Sequence, residues 1–364
     1  MKFELDTVII EESCRASALA TRIVGGIPPS VHIDYVADGR LAARPLIETR
    51  DPFGTGKRRM VVMPRRSSFL MGCPASSTQF ACCGYLVLVL ASNCPMDCSY
   101  CFLQEHLANN PSFQVYANYL DALDELDRLA GAGSGRSFRV GTGELADSLA
   151  FDSLTGISRD LVRYFAEHPT LMLELKTKTD EIGNLLTLDP RGRTMVSWSL
   201  SPTRVFAVSE HRTAPPQSRI NAARRVRDAG YQVGFHLDPL IAYPDAEQDY
   251  LELLENVFDA VPPKAIAFFS IGGLRMTPGL RSAARRRFPA DSMLLGEEVL
   301  GEDGRYRTFT PLRLRLFAKL RERIAKARAD LPIYLCMETA SVYHRVFGAA
   351  PLTPAALGSR LVGG

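Results

Sequence analysis

A chain of 364 residues, 46% apolar and 23% charged, has material for a large buried core and is too long for one small domain. It contains no uninterrupted apolar run of about 18 residues, which argues against a membrane span. Eight cysteines in this length do not make a disulfide scaffold, and a net charge of +3 is only mildly basic.

The opening "MKFELDTVIIEESCRA" has none of the basic, apolar and small-residue sections of a signal peptide, so the cytoplasm is the expected compartment. Residues 1–83 carry turn chemistry ("VGGIPPS", "DPFGTG", "MGCPASSTQ") between short candidate strands, and read as an irregular extension packed on the core. Basic clusters begin here with "GKRR" (56–59) and "PRR" (64–66) and recur as "ARRVR" (223–227) and "ARRRF" (284–288). They read as solvated faces or as a surface that tracks phosphates. From "YLVLVLAS" (85–92) the pattern becomes regular. Helix-spaced "YLDALDELDRLAGAG" precedes the strand "SFRVGTGE", and "GISRDLVRYFAEH" precedes "LMLELKTK". "TDEIGNLLTL" reads as a short helix before the strand "TMVSWSLSP". The helix "SRINAARRVRDAG" leads to "YQVGFHLDPL", and "AEQDYLELLENVFDAV" leads to "KAIAFFSIGG". Apolar strands alternating with helices mark a parallel sheet covered on its faces. The prediction is an α/β fold with a partial (β/α)6 barrel over residues 84–274. Residues 275–364 form a C-terminal α/β addition: an irregular Arg-rich stretch, the basic amphipathic helix "PLRLRLFAKLRERIAKARAD", the strand "PIYLCME" and a loose tail.

The segment "SNCPMDCSYCFLQEHLANNP" (92–111) places Cys94, Cys98 and Cys101 directly after the first strand, and barrel chemistry sits at the C-terminal ends of strands. Three thiolates can hold three irons of a [4Fe–4S] cluster and leave the fourth open to a cofactor or substrate. Zinc is the alternative, but a structural zinc site needs four closed ligands. No second pair of Cys or His has suitable spacing, although Cys82 and Cys83 are near enough to add a ligand. Lys176 and Lys178 share a face of the third strand, as His236 and Asp238 do of the fifth. The histidine and aspartate are either satisfied structural groups or contacts at the barrel mouth. Glu210, His211 and Arg219 are equally open. Arg275 follows the sixth strand and has the fork to meet a phosphate.

The spacing C-x3-C-x2-C, with Tyr100 before the last cysteine, resembles the signature of radical S-adenosylmethionine enzymes. "CPASSTQFACCGY" followed by "CPMDCSYCFLQEHLANNP" is similar to the spore photoproduct lyase family, as are "LELKTKTDEI", "VSWSLSP", "EHRTAPPQSRINAARRVRDAGYQVGFHLDPL" and "YLCME". The resemblance spans about residues 57–348. It implies that Cys94, Cys98 and Cys101 hold a [4Fe–4S] cluster at which S-adenosylmethionine is cleaved to a 5′-deoxyadenosyl radical, with electrons from an external low-potential donor. It also implies a cofactor site built from Tyr100, Thr142, Gly143, Glu144, Lys178 (with Lys176 competing) and Ser199, to which the barrel-mouth position of His236 and Asp238 adds two cofactor candidates. The expected enzyme is a lyase acting on DNA photolesions or another nucleic acid, with Arg275 toward the substrate. Two residues depart from the family. "RVGTGELADSL" lacks the cysteine with which the repair lyase returns a hydrogen atom, and Phe102 stands where that enzyme carries a tyrosine. Cys336, or a tyrosine such as Tyr100, then completes the reaction, unless the radical is quenched otherwise or Cys336 is a core thiol. Two other readings stay open: the same radical chemistry on a small molecule or peptide, and a metal-bearing nucleic-acid-binding module without catalysis.

Overall fold

The computed structural model describes every residue except 1–3, 47, 74–79, 82, 133–135, 354–355, 359 and 361–364, so Cys82 and much of the tail lie outside the described residues. Seven parallel strands make up its main sheet, in the order Leu86–Leu88, Phe138–Gly141, Leu171–Thr177, Thr194–Ser199, Gln232–Leu240, Ile266–Gly273 and Ile333–Leu335. Leu70–Gly72 adds an antiparallel edge beside the first. The sheet curls into a half-barrel. Its central strands are covered on both faces, and every residue of Thr194–Ser199 is buried. Helices supply the outer layer through faces spaced at three and four residues. Leu161, Val162 and Phe165 do this for Ile157–Ala166, and Tyr250, Leu253, Leu254 and Val257 for Ala246–Ala260. Trp198, Phe235, Phe268 and Phe269 fill the core between them.

Four parts differ from the sequence reading. The first eighty residues are not irregular. Strands Thr7–Glu11, His32–Val36 and Arg59–Met63 pair in parallel and continue through Phe113–Tyr116 to Ala91–Ser92 in a second sheet. That pairing joins strands about fifty residues apart, which local turn signals do not report. "TDEIGNLLTL" is turns rather than a helix. Thr177 Oγ1 accepts from the Thr179 N–H at 2.9 Å and Thr179 Oγ1 from the Glu181 N–H at 3.1 Å, so side chains take the donors that a first helical turn would leave to its caps. Residues 275–310 hold a helix, Pro278–Arg287, capped by the Thr277 hydroxyl, and a three-stranded antiparallel sheet. Finally, "PIYLCME" joins the main sheet beside the sixth strand, with Ile271 opposite Leu335.

The helix Thr310–Ala327 is basic outside and anchored inside by Leu316, Phe317, Leu320 and Ile324. Phe317→Ala is expected to cost about 3–5 kcal/mol in chemical denaturation of the unloaded protein, whereas a helix not packed on the core would lose little.

Candidate active site

The C-terminal ends of the parallel strands open into a cavity of about 580 Å³, and Cys94, Cys98 and Cys101 all line it. Their loop is shaped by polar ties. Asn93 takes a left-handed conformation (φ 69°), which asparagine tolerates; its Oδ1 accepts from the Cys94 N–H at 2.8 Å and its amide donates to the Pro111 carbonyl. Residues 97–98 pair antiparallel with 210–211, and the Ser99 N–H donates to the Ser209 carbonyl at 2.9 Å. Ser99 Oγ donates to Asp291, and Tyr100 Oη to the fully buried Glu210. Glu210 also accepts from Ser201 at 2.9 Å and Arg219 at 2.5 Å. Burial would raise the Glu210 carboxyl, but Arg219 and then Lys178 outweigh it and hold it at about 2.

The donor set fits an iron–sulfur cluster. Three soft thiols come from one short loop and face one cavity. Burial, then Asp147, pushes the Cys94 thiol up to about 12, so a bare thiolate is disfavoured there while one neutralised by iron is not. Among the described residues no group of His, Cys, Asp or Glu is gathered for a single metal ion. A cubane binds each thiolate on a different iron, so its ligands need not converge.

Gly143, Glu144, Lys176, Lys178, Ser199, Asp238, Arg275 and Cys336 line the same cavity as Tyr100, from the ends of the second to seventh strands or just beyond them. Thr142 and His236 do not line it. Thr142 Oγ1 bonds Ser148 Oγ at 2.7 Å, and His236 Nε2 lies 2.9 Å from Glu174 Oε1. The glycine is needed at 143: a Cβ there would stand 2.6 Å from Lys176 Cβ. Lys178 Nζ is 3.8 Å from Glu210 and 5.7 Å from the centre of the Tyr100 ring. Buried Lys176 has Glu144 and Asp238 as its nearest anionic influences, which raise its pKa against desolvation. Both lysines therefore reach the site. The Arg275 fork is engaged by Asp238, with both N–O distances 3.1 Å, and its Nη2 lies 3.7 Å from Cys336 Sγ. Burial and then Asp238 push the Cys336 thiol well above its ordinary value, so it stays S–H. After the second strand, where no cysteine occurs, the space over Gly141 is taken by the Tyr85 phenol. Phe102 is at the rim and 40% exposed.

Several groups escaped the sequence reading. Asp147 lines the cavity and accepts from the Lys178 N–H at 2.8 Å and the Thr177 hydroxyl at 2.8 Å. Behind the wall, Arg139 lies 3.4 Å from Glu174, which also accepts from Ser197 at 2.7 Å. The signal in the sequence is a charge set inside each of two mainly apolar strands, Arg139 in "FRVG" and Glu174 in "LMLELKT". Lys57, counted among the basic clusters, points inward and is 1% exposed.

A family model, "Spore photoproduct lyase", matches residues 55–309. The chain belongs to the spore photoproduct lyase family. Curated relatives of that name include one from Clostridium acetobutylicum, 24% identical over 270 residues, covering 74% of this chain and 78% of the relative. Another, from Bacillus subtilis, is 26% identical over 211 residues, covering 57% of this chain and 61% of the relative. A solved spore photoproduct lyase mutant with AdoMet and dinucleoside spore photoproduct bound superposes with a TM-score of 0.82 at 20% identity, over 92% of this chain and all of that one. The protein is thus a radical S-adenosylmethionine enzyme of the lyase class. The family match takes in the cysteine loop and the first six barrel strands but stops short of Cys336. Among the described residues no helix is long and apolar enough to cross a membrane.

Burial, then Lys176, lowers His236 to about 4, so near neutrality it is an uncharged donor to Glu174 rather than half of an ion pair. The unfolded chain binds this proton near pH 6.5 and the folded one only near 4, so stability falls as pH drops through that window. His236→Gln, which keeps an N–H donor, is expected to remove up to about 3 kcal/mol of that acid sensitivity. Urea denaturation at pH 7 and pH 4.5 measures the difference, and an unchanged slope would show that the imidazole is not protected.

Proposed function

We propose that the protein repairs a photolesion in DNA by radical S-adenosylmethionine chemistry, with Cys336 as the terminal hydrogen donor. The observation that carries the reading is the meeting of Cys94, Cys98 and Cys101 with Glu144, two lysines, Ser199 and the Arg275–Cys336 pair around one cavity. The names of the curated relatives and the ligands of the similar structure support the same reaction class.

Cys94, Cys98 and Cys101 would hold the [4Fe–4S] cluster. Once loaded, cluster and S-adenosylmethionine together supply an organic radical, given an electron from outside the protein. The chain's own groups then bind and orient. Glu144 is the carboxylate suited to the cofactor's ammonium, and Lys176 or Lys178 the cation suited to its carboxylate. Gly143 lets the backbone of its loop close against the third strand. Tyr100, fixed by Glu210, makes the wall beside the cluster loop. A cavity of about 580 Å³ lies within the range of small-ligand sites, and a base in duplex DNA would have to be extruded to enter it. Arg305 at its edge offers a cation to the backbone phosphates. Cys336 transfers its hydrogen atom from sulfur to the substrate carbon radical: an S–H bond breaks, a C–H bond forms, and the unpaired electron remains on Sγ. Arg275, locked on Asp238, keeps that sulfur at the wall.

Anaerobically reconstituted protein, given dithionite, S-adenosylmethionine and dinucleoside spore photoproduct in deuterated water, is expected to form 5′-deoxyadenosine, consume the lesion and place deuterium in the product. Changing any of Cys94, Cys98 or Cys101 to Ala should abolish both products together with the iron content. Cofactor cleavage beside an untouched lesion would move the enzyme to another substrate.

Cys336→Ala is expected to leave 5′-deoxyadenosine formation in place, cut correctly repaired product by at least tenfold and divert the remainder to adducts. Repair with undiminished deuterium transfer would remove Cys336 from the reaction.

A further inference from the structure

The basic stretch at 56–59 has one member that does not face solvent. Lys57 follows the short helix Pro52–Gly56, and its side chain runs beneath the cysteine loop, where it is 1% exposed. Its ammonium donates to the carbonyl of Cys94 at 2.9 Å and to that of Met96 at 2.6 Å, and approaches Asn93 Oδ1 at 3.5 Å. Phe53 stacks under it, with the ring centre 4.8 Å from Nζ. Lysine is rarely buried this fully without a close counter-charge. The carboxylate here, Asp97, is 3.9 Å away and already engaged by Arg287 at 2.9 Å. The lysine therefore brings a fixed positive charge under the first cluster cysteine, and no carboxylate of its own neutralises it at contact distance.

We infer that Lys57 is a positioning residue for the iron–sulfur cluster, shaping the loop through its two carbonyls and raising the cluster's reduction potential with its charge. The inference rests on the cluster reading of the three cysteines. Loop shape follows from geometry. Two carbonyls, two residues apart, converge on one ammonium, so the turn from Cys94 to Met96 is drawn around a point, and Cys94 can present its sulfur to the opposite side. The electrostatic part follows from the burial. A reduced cluster carries one more negative charge than an oxidised one, and a desolvated cation nearby favours the reduced form. Local charge is a recognised setting of such potentials. The same residue also ties the N-terminal sheet to the active site, since the chain passes from Lys57 directly into the strand Arg59–Met63.

Lys57→Met keeps the length and removes the charge, and Lys57→Arg keeps the charge with a different donor geometry. The full chain is reconstituted anaerobically, iron and sulfide per chain are counted, and the cluster is titrated against potential by EPR without S-adenosylmethionine. Circular dichroism melts of the unloaded proteins report the fold. With the Met variant folded, the ratio of reduced to oxidised cluster at a fixed potential should fall about tenfold, a shift of about 59 mV downward for a one-electron couple. Loss of iron from folded Lys57→Met, with iron retained in Lys57→Arg, supports the inference equally. A loaded Met variant with an unchanged midpoint overturns it. So does melting of both variants to the same degree, which would make Lys57 a structural tie without a cluster-directed role. Wild-type protein that takes up no cluster sinks the underlying reading of the cysteines instead, and the iron count separates the two failures.

Discussion

A loop that carries three thiols to a cavity is held partly by apolar packing, with Cys98 and Tyr100 set among Val205, Leu274 and Leu280, while its polar groups are fixed by buried charges. Glu210 is the centre of that arrangement. One carboxylate, wholly removed from solvent, receives Tyr100 from the cysteine loop, Ser201 from just past the fourth barrel strand and Arg219 from the helix Pro216–Asp228. Arg219 in turn donates to the Ser199 and Ala214 carbonyls. Removing one partner of such a pair strands the other charge in a low-dielectric interior and costs several kcal/mol, far more than a surface pair is worth. The pair is thus a poor source of net stability and a strong source of uniqueness: only one placement of the loop satisfies every group. Lys57, Arg287 and Asp291 clamp the same loop from other segments of the chain. Regions far apart in sequence therefore converge on one short loop.

This dependence explains why the regions flanking the barrel are structured. The N-terminal sheet places Lys57 and Asp51, and the helix Pro278–Arg287 with its following turn places Arg287 and Asp291. Neither region carries one of the three proposed cluster ligands. Both contribute charge and hydrogen bonds to the backbone that presents those ligands, as outer partners do at metal sites generally. The parallel sheet does the complementary work of delivering Gly143, Lys176, Ser199, Asp238 and Cys336 at successive strand ends or just beyond them, where their backbones are fixed by neighbours on both sides.

What could be read from the sequence follows the same division. Alternating apolar strands and amphipathic helices are local patterns, and all six expected barrel strands form. The C-x3-C-x2-C spacing is local as well, so the amino-acid order by itself singles out the three cysteines. The clamps are not legible there because they are long-range: Lys57 to Cys94, Arg287 to Asp51 and Ser99 to Asp291 join residues whose neighbours in sequence say nothing of each other. Lys57 is the sharpest case. Within "GKRR" its composition suggests a solvated face, and only the packing turns it inward while Arg58 pairs at the surface with Asp6 and Glu4. Arg139 and Glu174 are more accessible to sequence reasoning, since opposite charges within neighbouring, mainly apolar strands imply that the two meet.

The second barrel strand also bears on how the proposed reaction ends. Gly141 closes that strand with Tyr85 filling the volume a side chain would need, and the residues just after it that reach the cavity, Gly143 and Glu144, carry no thiol. Cys336 follows the seventh strand, across the sheet from the second, and is held beside Arg275. A hydrogen atom supplied from there reaches the substrate from the other side of the cavity. A transfer of this kind requires the donor sulfur close to the radical carbon and aligned with it. A substrate seated for a donor on the second strand would present the wrong face. The Arg275–Asp238 pair is therefore more than a support for one thiol. In the proposed reaction, fixing where the sulfur sits would also set which way the lesion is turned, and selectivity among related photoproducts would follow that orientation rather than the cluster chemistry proposed for the site.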